Sequence, residues 1–305
     1  MKKALLLLVL FISAITVSAQ KPEDFTGSLL WKISGNGLEH DSYVFGTYHY
    51  KGVELLDSVP GLREAIEATA QTAAEMTATE LASAQFKMMP YMMMPQDKGY
   101  KDILNKEEYT RLDNALKGAL GAGLEQFGML TPAMISMSMV VFIHIQENPG
   151  FDMTALEGID GYLLRITTEN GKKEIGLETA DDQIKMLFDS GDTMEEQIES
   201  LICALDNFDF SVQSYRNLTE DYMKGDLYKI YMDGFHNINN PCLHYVKEEH
   251  KDAMLKDRND KWMEQLPIIM AEAPTLVAVG AGHLAGEEGV LYQLSQLGYK
   301  VEPVK

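Results

Sequence analysis

The chain has little cysteine, a deficit of positive charge, and none of several short signatures that would name an activity at once. Cys203 and Cys242 are its two cysteines, and they form neither a C-x-x-C nor a cysteine-histidine cluster. That excludes the common structural zinc sites. The two are free to pair as one disulfide in an oxidising compartment or to stand as buried thiols, depending on whether their α-carbons come within ~7 Å. The absence of His-Glu-x-x-His excludes a metallopeptidase of the zincin type, and the absence of G-x-S-x-G removes the serine-hydrolase elbow. Gly280-x-Gly282 lacks the third glycine of a dinucleotide fingerprint and leaves no room for a following strand unit. With 26 Lys+Arg against 46 Asp+Glu, the net charge is −20. So acidic a chain does not seek nucleic acid or anionic lipid, whereas cationic peptides and metal ions remain open to it. No repeat of fixed period and no low-complexity linker divides it.

Lys2 and Lys3 precede an apolar stretch from Ala4 to Val17, and Val17-Ser18-Ala19 is a small-residue cleavage pattern. The three regions in that order predict a secretory signal peptide over residues 1–19. The stretch falls short of the ~20 residues that span a bilayer, and no later segment is apolar enough, so no stable membrane insertion is expected after cleavage. The expected location is periplasmic or extracellular. The chain beyond residue 19 is long enough for one large or two small domains.

Two glycine-histidine turns stand almost at opposite ends of this remainder, Gly46-Thr47-Tyr48-His49 and Gly280-Ala281-Gly282-His283. Each comes directly after an apolar run that reads as a buried strand, Tyr43-Val44-Phe45 and Thr275 to Val279. If the two strands run parallel in one sheet, both histidines emerge at its carboxyl edge, where open α/β sheets hold their ligands. Leu29 to Ile33 reads as a first strand joined to Tyr43–Gly46 through a Gly35-Asn36-Gly37 turn. A helix is predicted from Pro60 to about Thr69, and composition alone carries it through the adjoining alanines to Glu80. Asn105 with Glu108 is a helix cap ahead of Tyr109, Leu112, Leu116 and Leu120 at helical spacing. Thr193 to Asp206 repeats that pattern, and Lys173 to Leu177 reads as a short strand. The methionines around Met88–Met94 and Met129–Met139 read as filler for an irregular helical core, since neither group has regular ligand spacing.

Several segments then recur in a specific order. Leu29-Leu30-Trp31-Lys32-Ile33 and Phe45-Gly46-Thr47-Tyr48-His49 are followed by Glu157-Gly158-Ile159-Asp160, Gly171-Lys172 and Gly176-Leu177-Glu178-Thr179. Lys224-Gly225-Asp226, Arg258-Asn259 with Trp262, Val279-Gly280-Ala281-Gly282-His283-Leu284, Gly289-Val290 and Leu297-Gly298-Tyr299 complete the set. The set resembles the TraB/PrgY/GumN family, related to the Tiki metalloproteases and more distantly to the erythromycin esterase and ChaN group. Thr131-Pro132-Ala133 departs from it, where the family commonly has a basic residue, proline and tryptophan. The resemblance implies an α/β fold with a mainly parallel central sheet, site residues at strand ends and a large helical middle region. It makes residues 20–305 one domain with helical insertions at about 80–150 and 180–265.

The resemblance further implies a strand at Thr72-Ala73-Ala74-Glu75-Met76, against the helical reading of the same alanines, and so makes Glu75 a candidate ligand. His49, Glu75 and His283 would hold a divalent metal ion: manganese, cobalt, iron or zinc suits such a mixed nitrogen and oxygen shell. Glu178 would be the general base, and Arg258, supported by Asn259, would stabilise an oxyanion. Each has a plainer alternative: a turn-bonding role for either histidine, an exposed helical glutamate for Glu75, a helix-cap carboxylate for Glu178, and a surface ion pair with Asp257 or Asp260 for Arg258. The function implied is an exported metal-dependent hydrolase acting on peptides. An esterase, or a protein that sequesters a peptide or small ligand without chemistry, is the alternative. His40, His144, His236, His244 and His250 carry no assigned role.

Overall fold

The computed structural model describes residues 20–151, 157–189 and 191–305, so the segment read as a signal peptide lies outside the described residues. Six strands form one sheet: β1 (Leu30–Ser34), β2 (Ser42–Thr47), β3 (Gln71–Ala74), β4 (Lys173–Gly176), β5 (Thr275–Gly280) and β6 (Lys300–Pro303). Their order is β4-β3-β5-β2-β1-β6. β4, β3, β5 and β2 run parallel, while β1 lies antiparallel to β2 and to β6. Four neighbouring strands therefore end at one edge. Thr47 pairs with Gly280, and Ala74 pairs with both Ala278 and Gly176, so the four ends are nearly level.

β5 lies in the middle of the sheet and is buried along Thr275 to Val279. A strand covered on both faces needs a continuous apolar run, and Leu276-Val277-Ala278-Val279 supplies one. The β1–β2 hairpin turns through Gly35, Asn36 and Gly37 at φ of 74°, 46° and 86°. Only glycine and the short polar asparagine enter that left-handed region without large strain.

β3 is the strand that composition reads as helix. Gln71, Thr72 and Ala73 are nearly fully buried, and the Gln71 amide donates to the Ile269 carbonyl at 2.8 Å and to the Thr275 hydroxyl at 2.9 Å. Ladder pairing and a small cross-section in a crowded layer outweigh alanine's helical preference. The strand stops at Ala74, so Glu75 and Met76 come after it instead of lying within it. Helix resumes at Ala78, capped by the Thr77 hydroxyl, which accepts from the Glu80 N–H at 3.1 Å. The preceding helix is also shorter than its spacing suggests, Leu62–Ala68, because Thr69 leaves it and turns its hydroxyl back to the Ala65 carbonyl.

The helices fill the two crossovers that leave β3 and β4. Ala78–Met92, Lys106–Leu120, Pro132–Glu147 and Ile159–Glu169 lie between β3 and β4; Ala180–Phe188, Met194–Asp206, Phe208–Lys224, Leu227–Phe235 and Lys256–Glu272 lie between β4 and β5. The Lys106 helix carries the expected reciprocal cap. Asn105 accepts from the Glu108 N–H, and Glu108 accepts from the Asn105 N–H; such a cap contributes about 1 kcal/mol. Its Leu112, Leu116 and Leu120 join Ile135, Met139, Ile198, Leu201, Ile202 and Leu205 in a core of their own, separate from the one around the sheet. The methionines divide: Met94 and Met139 are buried, whereas Met89 and Met129 are 61% and 71% exposed. The core-filler reading therefore holds for only some of them, since helix faces beyond the second core remain uncovered. Cys203 and Cys242 form a disulfide with α-carbons 5.9 Å apart. Among the described residues no helix is long and apolar enough to cross a membrane.

Candidate functional site

Each of the four parallel strands delivers one side chain to the shared edge. The ladder continues beyond β3 and β4, with the Leu177 N–H on the Ala74 carbonyl and the Glu178 N–H on the Glu75 carbonyl, both at 2.9 Å. Glu75 and Glu178 are thereby set side by side. β5 ends at Gly280, whose N–H donates to Glu75 Oε1 at 2.9 Å; a Cβ there would lie 3.3 Å from that oxygen. Gly46 meets a similar limit in β2, since a Cβ would come within 3.1 Å of the Ala281 α-carbon. Gly46 and Gly280 thus each admit a close neighbour, the Ala281 backbone and the Glu75 carboxylate.

Arg258, on the Lys256–Glu272 helix, ties the cluster together. Its Nη2 donates to Glu75 Oε2 at 2.6 Å and to Glu178 Oε1 at 2.5 Å, its Nε to Glu178 Oε2 at 3.0 Å, and its Nη1 to His283 Nε2 at 2.9 Å. The guanidinium lies 5.0 Å from the Trp262 ring centre. Its side chain is 12% exposed, and Asp260 pairs with Lys256 instead; the surface ion pair open to it in sequence is not made. Gln183 bridges the two carboxylates, donating to Glu75 Oε2 at 3.0 Å and Glu178 Oε1 at 2.8 Å.

The state of His283 is set by its partners. Arginine can only donate, so Nε2 accepts and the ring proton sits on Nδ1, facing Asn259 Oδ1 at 2.7 Å. Asn259 Nδ2 donates to the His283 and Glu288 carbonyls, which fixes the orientation of its amide. Asn259 therefore positions His283 and not Arg258, a correction to the sequence reading. The two residues are neighbours on one helix and point at different partners.

His49 stands apart from this network. Its side chain is 73% exposed, and its Nδ1 lies 3.0 Å from Asp160 Oδ2. Asp160 is placed there because the Ile159 N–H donates to the Lys51 carbonyl at 2.8 Å, tying the start of the Ile159–Glu169 helix to the segment after β2. No direct hydrogen bond joins His49 to Glu75 or His283 among the described residues, although the charge of a protonated His49 acts on Glu75.

Electrostatics separate the two imidazoles. Burial, and after it the Arg258 charge, pushes His283 down to about 3, so it is neutral at neutral pH. The hydrogen bond to Asp160 raises His49 above the ordinary imidazole value. Burial opposes ionisation of Glu75, but the Arg258 charge above all, with His49 and the Gly280 N–H, outweighs it and brings the carboxyl to about 2. Burial likewise opposes the Arg258 charge and is outweighed by Glu75 and Glu178.

Among the described residues, no three His, Cys, Asp or Glu side chains are grouped to hold a metal ion as they stand. The guanidinium occupies the focus of Glu75, Glu178 and His283. The donor chemistry nonetheless fits a divalent ion. Each histidine has Nδ1 engaged by a neighbouring side-chain oxygen, Asp160 or Asn259, the outer-shell pattern that leaves Nε2 for a metal. Arg258 and such an ion would compete for the same donors. Asp160 and Gln183 are the contributors that carried no role in the sequence. Asp160 had a signal, as the acid in the first turn of a helix within the Glu157-Gly158-Ile159-Asp160 segment; Gln183 had none.

No curated protein and no solved structure matches the chain at a significant level. A family model does match, over residues 29–303, and that span contains all six strands and every residue of the cluster. The chain belongs to the TraB/PrgY/gumN family.

Proposed function

We propose that the chain is an exported metal-dependent hydrolase acting on peptide bonds, in the manner of the Tiki-like enzymes. The observation that carries the reading is the convergence of two carboxylates and the His283 Nε2 lone pair on one cation at the carboxyl edge of parallel strands. His49, Glu75 and His283 would hold the ion. When bound, it would lower the pKa of a coordinated water and polarise the carbonyl under attack.

The chain's own residues support the remaining roles. Asp160 and Asn259 orient the two imidazoles through Nδ1. A histidine that binds a metal must be neutral, so His49 would release its proton on metal uptake, and affinity would fall with falling pH. Arg258 is a fixed positive charge in a partly dry site, suited to a developing oxyanion. Glu178 would accept the proton of the attacking water and pass it to the leaving amine. Export is supported by the Cys203–Cys242 disulfide, since such bonds persist in oxidising compartments.

One observation favours a second reading, a protein that sequesters peptides without cleaving them: both Glu178 oxygens already accept hydrogen bonds from Arg258. Metal analysis of the purified protein, then a peptide-library cleavage assay with and without chelator, separates the two. Cleavage lost to chelator and restored by manganese or cobalt supports the hydrolase. Peptide retention with no turnover under any of the four metals would overturn it.

A further inference from the structure

A cavity of about 270 Å³ opens beside Glu75. Its floor is Ala74 of β3 and Ala278 of β5, paired in the sheet. Met76, Leu81, Leu163 and Leu164 make its walls. Small residues on the floor keep the space open where larger ones would fill it. An apolar cavity of ~150 Å³ already holds benzene, so this one has room for a full amino-acid side chain.

The polar groups at the cavity are His49, Glu75, Asp160 and Gln183. Their charges are already answered within the protein. Glu75 accepts from Gly280, Arg258 and Gln183, and Asp160 is paired with His49. A charged side chain of either sign entering the cavity would lose its hydration, and the carboxylates it meets are already paired with Arg258 and His49. An uncharged side chain replaces water on Met76, Leu81, Leu163 and Leu164 at no such cost.

We propose that this cavity is a specificity pocket for an aliphatic side chain, leucine-like or methionine-like, on a substrate residue adjoining the bond attacked. The placement rests on the peptide-hydrolase reading, because Glu75 belongs to both the pocket and the reacting cluster. The pocket itself rests on its walls alone. Leu81 is the residue through which to test it, since at 39% exposure it forms part of the rim.

The test uses the full chain and fluorogenic peptides that differ at one position, carrying Gly, Leu, Met, Lys or Glu. Cleavage is measured in parallel with anisotropy-detected binding to Glu178→Gln. Leu and Met peptides should exceed Gly, Lys and Glu peptides by about ten- to a hundredfold in kcat/KM or in affinity. Leu81→Asp, and Leu164→Phe which narrows the space, should each remove most of that difference. If no peptide is cleaved under any metal, yet Leu peptides bind more tightly and Leu81→Asp erases the advantage, the pocket stands and the hydrolase reading falls. If all five peptides are cleaved equally, or both variants keep the parent's preference, the pocket is overturned while the hydrolase reading stands. Neither cleavage nor side-chain-dependent binding would overturn both.

Discussion

Replacing Arg258 by methionine is the perturbation that most directly probes how the site is held. Methionine keeps the apolar stem that packs near Trp262 and removes the charge. Glu75 and Glu178, with side chains 17% and 7% exposed, then face each other with Gln183 and the Gly280 N–H as remaining donors. Removing one partner of a buried ion pair costs about 3–5 kcal/mol, because the other charge is left without compensation. Two carboxylates here share one guanidinium, so the upper part of that range is expected at pH 7. The sign of the pH dependence is a sharper signature than the size. In the parent, Glu75 is ionised down to about 2, below its unfolded value, so its contribution is present at neutral pH and is lost as pH falls from the unfolded value toward 2. In the variant the folded carboxyls titrate above their unfolded values, and stability is lost as pH rises through that raised range. Urea unfolding monitored by circular dichroism at pH 5 and pH 7 should therefore show the variant stronger at pH 5 and the parent stronger at pH 7. A loss under ~1 kcal/mol with the parent's pH dependence would refute the reasoning, since it would mean that water already screens the carboxylates.

Three further outcomes are expected from the same geometry. His283 takes its proton near 3 when folded and near 6.5 when unfolded, so the unfolded chain binds protons first as pH falls; parent stability should drop by about 2 kcal/mol between pH 6.5 and 5, read from urea midpoints. Asn259→Ala, which leaves the His283 Nδ1 proton and the buried His283 carbonyl without their partner, should cost about 2–3 kcal/mol and change the His283 tautomer balance in imidazole nitrogen NMR. Cys203 and Cys242 close a loop with a sequence separation of 39, and the Cys203→Ser/Cys242→Ser double variant should lose about 4 kcal/mol on chain-entropy grounds; an unchanged melting temperature would count against a closed bridge.

How much could be read from sequence was set by how local each cause is. The strands that carry the two glycine-histidine turns announce themselves through β-branched and aromatic runs, and parallel pairing of β2 with β5 brings both ends to one edge. The Asn105 cap was legible because a cap is a contact three residues long. β3 was not legible from composition. Its four residues are held by partners in β4 and β5 and by the distant Ile269 carbonyl, none of which leaves a mark on Gln71-Thr72-Ala73-Ala74 itself. Family resemblance supplied that strand, and with it Glu75.

The cluster shows the same division one level up. Position along a strand end can place a residue at the edge, but it cannot tell which neighbour will hold it. Arg258 and Asn259 are adjacent in sequence, and adjacency suggested that one supports the other. A helix turns successive side chains by ~100°, so one reaches the carboxylates and the other reaches His283 Nδ1. The consequence is functional. Asn259 fixes which nitrogen of His283 carries the proton and leaves Nε2 as an acceptor toward the cation. Asp160 engages the same nitrogen of His49, but with a full negative charge that favours the protonated imidazole, whereas burial and the Arg258 charge keep His283 neutral. Two histidines equivalent in their glycine-rich turns are thus made unequal by their surroundings, an anionic carboxylate beside exposed His49 and burial against the Arg258 guanidinium for His283. The first holds a proton that a metal must displace, whereas the second is already in the state a metal requires.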